Sequence, residues 1–303
     1  MTALSEGSGL LPPVPPDRPV LIAGPTASGK SALALRLAAD GGGVIVNADA
    51  LQVWSCWRVL TARPSPADER IAAHRLFGHK VPGAPWSVGH WLREVMPIVT
   101  AWREGGPRPI IVGGTGLYFA ALTGGLAEIP PVTAEVRRQA DLILAAQGLP
   151  AMVAALDPAT RARIDLRNPA RVRRAWEVLA QTGRGLAAWQ AGGQEPVLSA
   201  GEVTALRVEV PAALLAARID ARFDRMMAEG ALDEVRAVLD AWDPAALWAK
   251  AIGAPELVAH LRGDLPREEA VRRAKAASRQ YAKRQRTWMR SRMSGWQPVE
   301  PLP

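Results

Sequence analysis

The chain has one cysteine, Cys56, in 303 residues. An intramolecular disulfide is therefore excluded, and a reducing, cytoplasmic setting is expected. No apolar run approaches the ~20 residues that a membrane-crossing helix needs, so no membrane partner is expected. Histidine is sparse: His74, His79, His90 and His260 lie far apart, and Cys56 supplies no partner for a metal cluster. Tyrosine and phenylalanine are rare, two and three against eleven tryptophans, a bias that carries no functional reading by itself. The stretch 1–18 is rich in Pro, Gly and Ser and has no apolar h-region, so it reads as a disordered, mobile tail and not a signal peptide. Acidic residues are missing from Val271 to Met293, although nine Lys or Arg fall there.

That last absence matters because the whole chain carries a formal charge of only +8. One segment thus holds more positive charge than the net, which points to a polyanion such as nucleic acid. The alternative is a solvated basic face. Arg272, Arg279, Lys283, Arg286 and Arg290 recur at helical spacing and share one face. Tyr281 and Trp288 lie among them, placed either for core packing or for stacking on bases.

With 49% hydrophobic and 22% charged residues, the chain can bury a large domain and a smaller inserted one. Short apolar runs at Pro19–Ala23, Val44–Val46 and Pro109–Val112 alternate with helical patterns at Ser31–Ala39 and Leu117–Leu122. Such alternation predicts a parallel sheet with helices on both faces, whose ligands sit beyond the carboxyl ends of the strands. From about Pro130 to Ala205 the text is helical: Ala134–Gln147, Ala151–Ala155, Pro158–Ile164 and Pro169–Gln181. Leu206–Val210 reads as a strand returning to the sheet. Helices follow at Ala212–Glu229, Leu232–Ala241, Ala254–Leu261 and Arg267–Met293. The expected domains are residues 19–130 with 206–303, and an all-helical insertion over 131–205.

Gly24-Pro25-Thr26-Ala27-Ser28-Gly29-Lys30-Ser31 fits G-x-x-x-x-G-K-[ST] between a strand and a helix. Its backbone N–H groups are suited to cradling phosphate, with Lys30 adding charge and the Ser31 hydroxyl able to hold Mg2+. The fold class expected is therefore P-loop NTPase-like. Asp49, just past the second strand, is a magnesium ligand, a general base or an N-cap. Gln52 lies on the same side if a helix starts there, placed to read a base edge. Gly113-Gly114-Thr115-Gly116 opens a helix at the same edge and is equally well explained as a tight turn. Arg171, Arg173 and Arg174 form a second basic group, placed to grip the same polyanion from the other side.

These motifs in this order resemble the tRNA dimethylallyltransferase (tRNA isopentenyltransferase) family. The resemblance is carried by the 24–31 loop, Asn47-Ala-Asp-Ala-Leu-Gln-Val-Trp54, Gly113-Gly-Thr-Gly-Leu-Tyr118, Asn168-Pro-Ala-Arg-Val-Arg-Arg174 and Arg279-Gln-Tyr-Ala-Lys-Arg-Gln-Arg-Thr-Trp288. It implies that the loop holds the diphosphate of dimethylallyl diphosphate and not ATP. The acceptor would be the adenosine 3′ of the anticodon in tRNAs reading U-initial codons, drawn out of its stack and alkylated on N6. Asp49 matches the family's general base, Thr26, Lys30 and Arg222 its catalytic diphosphate contacts, and Ser31 the holder of the Mg2+ cofactor. Matched to tRNA contacts are Asp49, Ala50, Leu51, Gln52, Thr115, Arg137, Ala170, Arg171, Val172, Arg173, Arg174, Lys283, Arg284, Gln285, Arg286, Thr287, Trp288 and Arg290.

The chain departs from the family pattern at three places. Trp54 stands for the usual Tyr, Gly253-Ala254-Pro255 for Gly-Tyr-Lys, and Ala170 for Gln. The expected partners are the tRNA anticodon stem-loop and the prenyl diphosphate, with the chain acting as a monomer. A P-loop kinase of a small metabolite is the main alternative, since the loop and Asp49 serve it equally well; it leaves the basic helix unexplained.

Overall fold

In this computed structural model, residues 13–192 and 195–301 are described. Residues 1–12 of the expected tail lie outside them. Near its end, the Pro15 and Asp17 carbonyls accept hydrogen bonds from Arg108 and Trp102, each at 2.9 Å.

The chain forms two compact units, residues 1–123 with 197–303, and residues 124–196. In the larger unit the order is β1 (Val20–Ala23), α1 (Lys30–Gly41), β2 (Val44–Asn47), α2 (Pro66–Ile71), β3 (Ala73–Arg75), α3 (Val88–Arg103), β4 (Pro109–Gly113) and α4 (Gly116–Gly124). The smaller unit carries α5 (Ala134–Ala154), α6 (Pro158–Arg163), α7 (Pro169–Thr182) and α8 (Leu186–Ala191). The larger unit resumes with β5 (Thr204–Val208), α9 (Ala212–Ala228), α10 (Ala231–Ala237), α11 (Ala254–Leu261), α12 (Arg267–Arg292) and β6 (Gln297–Val299).

The six strands form one parallel sheet in the order β3-β2-β4-β1-β5-β6. Each of β1, β2 and β4 is buried at every residue. Their continuous apolar runs reflect helices on both faces, and side chains divide between two cores with the period of two that a strand imposes. Leu21, Ala23, Val44, Val46 and Ile111 enter one core with α3, α4, α11 and part of α12. Val20, Ile22, Ile45, Ile110 and Val112 enter the other with α1 and the start of α9. The smaller unit closes over its own core of Ala140, Met152, Leu156, Val172, Ala175, Val178 and Leu186.

The register places the loops that follow. Ala23 pairs with Gly113, and Asn47 with Val112, so β1, β2 and β4 end side by side. Backbone bonds continue past the strands: Gly24 N–H to Gly113 C=O at 3.3 Å, Ala48 N–H to Val112 C=O at 2.8 Å and Thr115 N–H to Ala48 C=O at 3.1 Å. The loops after all three strands are thereby held at one edge.

Several elements differ from the sequence reading. The strand expected at Leu206–Val210 begins at Thr204, because Thr204 and Ala205 already pair with Val20 and Leu21. Helix α3 was not expected; it carries Pro97 in its interior, and the proline sits on the exposed side of the helix. The two helices expected at Ala134–Gln147 and Ala151–Ala155 run together as α5 across a kink at Gly148, whose φ is 73°.

Candidate active site

The 24–31 loop leaves β1 and enters α1. Gly29 takes φ 86°, and Ala27 also lies in the left-handed region at 62°. Ser28 N–H closes on the Pro25 carbonyl at 3.2 Å, and α1 starts at Lys30 with no side chain capping it. Its first N–H groups are thus left for an anion, favoured further by the helix dipole. Ser28 is fully buried, and its Oγ has no hydrogen-bond partner among the described residues. A Cβ at Gly24 would lie 2.5 Å from that oxygen, so only glycine fits there.

Three charged side chains converge on this loop. Burial lowers the Lys30 ammonium to about 8, with Asp49 raising it and Arg222 lowering it further. Burial likewise lowers the Arg222 guanidinium to about 10, again opposed by Asp49. Two desolvated cations therefore share one carboxylate. Desolvation outweighs their one counter-charge, which is the electrostatic condition of a site waiting for a multiply charged anion. Arg222 Nη2 donates to the Thr26 hydroxyl, and Lys30 Nζ to the Pro25 carbonyl at 3.3 Å.

Asp49 is fixed by its own turn. Its N–H donates to Asn47 Oδ1 at 2.8 Å, and its Oδ1 accepts from Leu51 N–H at 2.9 Å. Asn47 donates from Nδ2 to the Asp49 and Leu76 carbonyls, each at 3.0 Å, and Trp91 Nε1 donates to the Asn47 carbonyl at 2.7 Å. No described residue donates to Asp49 Oδ2, which lies 3.4 Å from the place a Cβ on Gly114 would take. Thr115 Oγ1 accepts Ala50 N–H at 2.9 Å. Beside Asp49 opens a cavity of about 40 Å³, with Thr26, Thr61, Arg222, Ser278 and Tyr281 as polar lining. Its apolar lining is Leu51, Leu60, Ile219, Phe223, Met226 and Ile252.

The Gly113–Gly116 segment owes its glycines to close approach and not to a turn, since none of them has positive φ. A Cβ would lie 2.0 Å from the Ala48 carbonyl at Gly113, 2.1 Å from Gln285 Nε2 at Gly114 and 2.1 Å from the Trp288 ring at Gly116. Both partners, Gln285 and Trp288, come from α12. Its inner face is built from Ala270, Ala274, Ser278, Ala282, Gln285 and Met289, mostly small side chains that let the helix lie against the sheet edge.

The expected site residues fall into groups. Thr26, Lys30, Asp49 and Arg222 meet at the loop, with Thr115 one hydrogen bond from the Asp49 turn. Gln52 does not point a free amide outward: Nε2 donates to the Thr61 and Ala62 carbonyls, each at 2.8 Å. Lys283, Arg284, Thr287 and Arg290 are exposed on α12, and Arg286 partly so. The stripe does not stand free along its whole length. Arg279 pairs with Asp220, Lys275 with Asp224 at 2.7 Å and Arg272 with Glu269 at 2.7 Å. The acids absent from Val271–Met293 are thus supplied from α9 and the first turn of α12. Trp288 packs into the core against Gly116, and Tyr281 is largely buried at the cavity.

Within the smaller unit, Arg137, Ala170, Arg171 and Arg174 are exposed. Arg173 is tied to Glu177 at 2.8 Å and to Asp141 at 2.5 Å, while Val172 is wholly buried. At the departure from family pattern, Gly253 has φ 93°, and a Cβ there would lie 2.8 Å from the Phe223 ring.

Sequence reasoning missed Asn47, Trp91 and Glu234 as parts of this site. Glu234 accepts the N–H groups of Arg58, Val59 and Leu60 at 2.7, 2.7 and 2.9 Å and so holds a cavity wall. Trp91 and Glu234 carry no local signal, since each acts on backbone distant in sequence, whereas Asn47 acts on Asp49 two residues on and also reaches the distant Leu76 carbonyl.

The IPP transferase family model matches residues 52–292. A curated tRNA dimethylallyltransferase of Cereibacter sphaeroides is 63% identical over 98% of this chain and 94% of its own length. One from Dinoroseobacter shibae is 60% identical over 94% and 95%. Among solved structures, the full-length tRNA isopentenylpyrophosphate transferase of Bacillus halodurans superimposes with TM-score 0.66 at 29% identity, covering 94% of this chain and 90% of that one. A eukaryotic dimethylallyltransferase acting on tRNA shares the fold, with TM-score 0.79 at 24% identity over 93% and 73%. This chain belongs to the IPP transferase family, with the tRNA dimethylallyltransferases.

Proposed function

We propose that the chain transfers the dimethylallyl group to N6 of the adenosine 3′ of the anticodon in tRNAs reading U-initial codons, with the residues around the 24–31 loop performing the chemistry. That it is a tRNA dimethylallyltransferase follows from its family; the nucleotide and the residue roles are the present reading. The observation that carries it is the pair of under-neutralised, partly buried cations, Lys30 and Arg222, next to an apolar-walled cavity. A prenyl diphosphate has the matching halves, a multiply charged head for Thr26, Lys30, Ser31 and Arg222 and a short branched hydrocarbon for Leu60, Ile219, Phe223 and Met226.

In the reaction the adenine amine attacks the allylic carbon, a C–N bond forms and the C–O bond to diphosphate breaks. Negative charge grows on the departing oxygen, and Lys30, Arg222 and the loop amides stabilise it in a site already arranged for it. The amine proton passes to Asp49, whose Oδ2 is the carboxylate oxygen left unengaged, a contribution of about 10²–10⁴ in rate. The fixed turn around Asp49 keeps that oxygen in place as the substrates arrive.

Ser31 is exposed at the head of α1, its hydroxyl free of any hydrogen bond among the described residues. No group of three or more potential metal-ligating His, Cys, Asp or Glu exists among them either. That donor set fits a Mg2+ ion carried chiefly by the diphosphate and held by one protein hydroxyl. Such an ion would add charge neutralisation on the leaving group.

Exposed Lys283, Arg284, Thr287 and Arg290, with Arg286, are assigned to the RNA backbone, as are Arg137, Arg171 and Arg174 of the smaller unit. The chain is taken to act as a monomer on cytoplasmic tRNA. Labelled dimethylallyl diphosphate with an unmodified anticodon stem-loop tests the acceptor: label on the adenosine 3′ of the anticodon is expected. Label elsewhere in the stem-loop would overturn the assignment.

A further inference from the structure

Helix α12 is basic along its outer side, yet a single amide points inward from its C-terminal half. Gln285 is only 6% exposed. Its Oε1 accepts the Thr26 N–H of the donor loop at 2.8 Å, and its Nε2 donates to the Gly114 carbonyl at 3.0 Å. These partners lie 259 and 171 positions away in the chain. Thr115, next to Gly114, brackets Asp49: its N–H donates to the Ala48 carbonyl at 3.1 Å, and its hydroxyl accepts Ala50 N–H at 2.9 Å. An unbroken chain of hydrogen bonds thus runs from the donor loop, through one side chain, to the segment that carries Asp49.

The chemistry of the bridge demands an amide. It must accept at one end and donate at the other, which glutamine does and glutamate, acceptor-only when ionised, does not. Asparagine is one methylene shorter. The close approach is bought by Gly114, where a Cβ would lie 2.1 Å from Nε2. On either side of Gln285, Lys283, Arg284, Thr287 and Arg290 are exposed.

We propose that Gln285 is a positioning residue that sets the spacing between the donor loop and Asp49. The inference rests on the roles given above to Asp49 and the loop. Family resemblance placed Gln285 among the tRNA contacts; its burial and its two bonds direct it instead toward the protein's own loops. With the bridge broken, the Thr26 N–H and the Gly114 carbonyl lose their shared partner, and the loop is free to relax away from Asp49.

The test uses the full chain with Gln285→Glu, which keeps shape and acceptor but loses the donor, and Gln285→Met, which loses both. Transfer rate at saturating substrates, tRNA affinity by filter binding and melting temperature are measured for each. The expected result is a kcat lowered by about 10²-fold, the scale of an ångström-sized misplacement, with tRNA affinity unchanged. A wild-type kcat in both variants overturns the proposal. So does weaker tRNA binding with kcat intact at saturation, which would make Gln285 an RNA contact. If the Met variant melts early, the Glu variant carries the test. Asp49→Ala run in parallel separates the two readings: normal transfer there defeats the base assignment itself, whereas its loss beside normal Gln285 variants defeats the bridge alone.

Discussion

Arg222 donates from Nη2 to the hydroxyl of Thr26, joining α9 to the donor loop across 196 positions of chain. On the role proposed for the 24–31 loop, the arginine is thereby aimed at the diphosphate site before the donor binds. Its planar fork leaves further N–H groups for phosphate oxygens, and its charge survives burial because its pKa, though lowered to about 10, stays well above neutral.

Arg222→Lys keeps the charge and loses the fork. Transfer should fall by about 10²-fold, in the range seen when one donor to a developing anion is removed. Steady-state kinetics check this, and a lysine variant with wild-type kcat/KM would show that charge alone suffices.

Lys30 makes a prediction about pH. In the folded, donor-free protein it holds its proton to about 8, against 10.5 ordinarily. Between those values the unfolded chain binds more protons, so this site makes the fold more stable as pH rises from 8 to 10.5. Below pH 8 the cost is at its full size, about 3 kcal/mol by the shift. Lys30→Met should therefore melt above wild type at pH 7, with the gap shrinking toward pH 10. Thermal melts of the two proteins side by side cancel the other groups that titrate in that range. A gap independent of pH would contradict the shift.

The exposed cations of α12 predict a salt effect. Lys283→Ala with Arg290→Ala should weaken tRNA binding and flatten the slope of log affinity against log salt by roughly 1–2 units. Arg279→Ala should leave the slope nearly unchanged, because Arg279 is paired with Asp220. Equal effects from both would mean that the ion pair opens on binding and that the whole stripe meets RNA.

Much of this was legible in the sequence for a physical reason. The P-loop glycines, the all-apolar strands and the position of Asp49 are local signals, each interpretable within a few residues. Parallel pairing then aligned the three strand ends, so their loops had to meet. What stayed hidden acts at long range. The basic stripe looked unopposed because Asp220 and Asp224 are on another helix. Gly114 and Gly116 looked like turn residues because the side chains that need their space, Gln285 and Trp288, lie far along the chain. Gln52 read as a base contact until the Thr61 and Ala62 carbonyls closed on its amide. Helix α3, with Pro97 in its interior, was not expected from the sequence.

The central claim is that Asp49 takes the amine proton while the two partly buried cations, Lys30 and Arg222, receive the diphosphate. Single-turnover transfer by Asp49→Asn, with dimethylallyl diphosphate and tRNA both saturating and their affinities measured separately, tests it most directly. The account predicts a rate lowered by about 10²–10⁴-fold with tRNA still bound as by wild type. A rate equal to wild type would remove Asp49 from the chemistry and leave it as a residue that only shapes its turn.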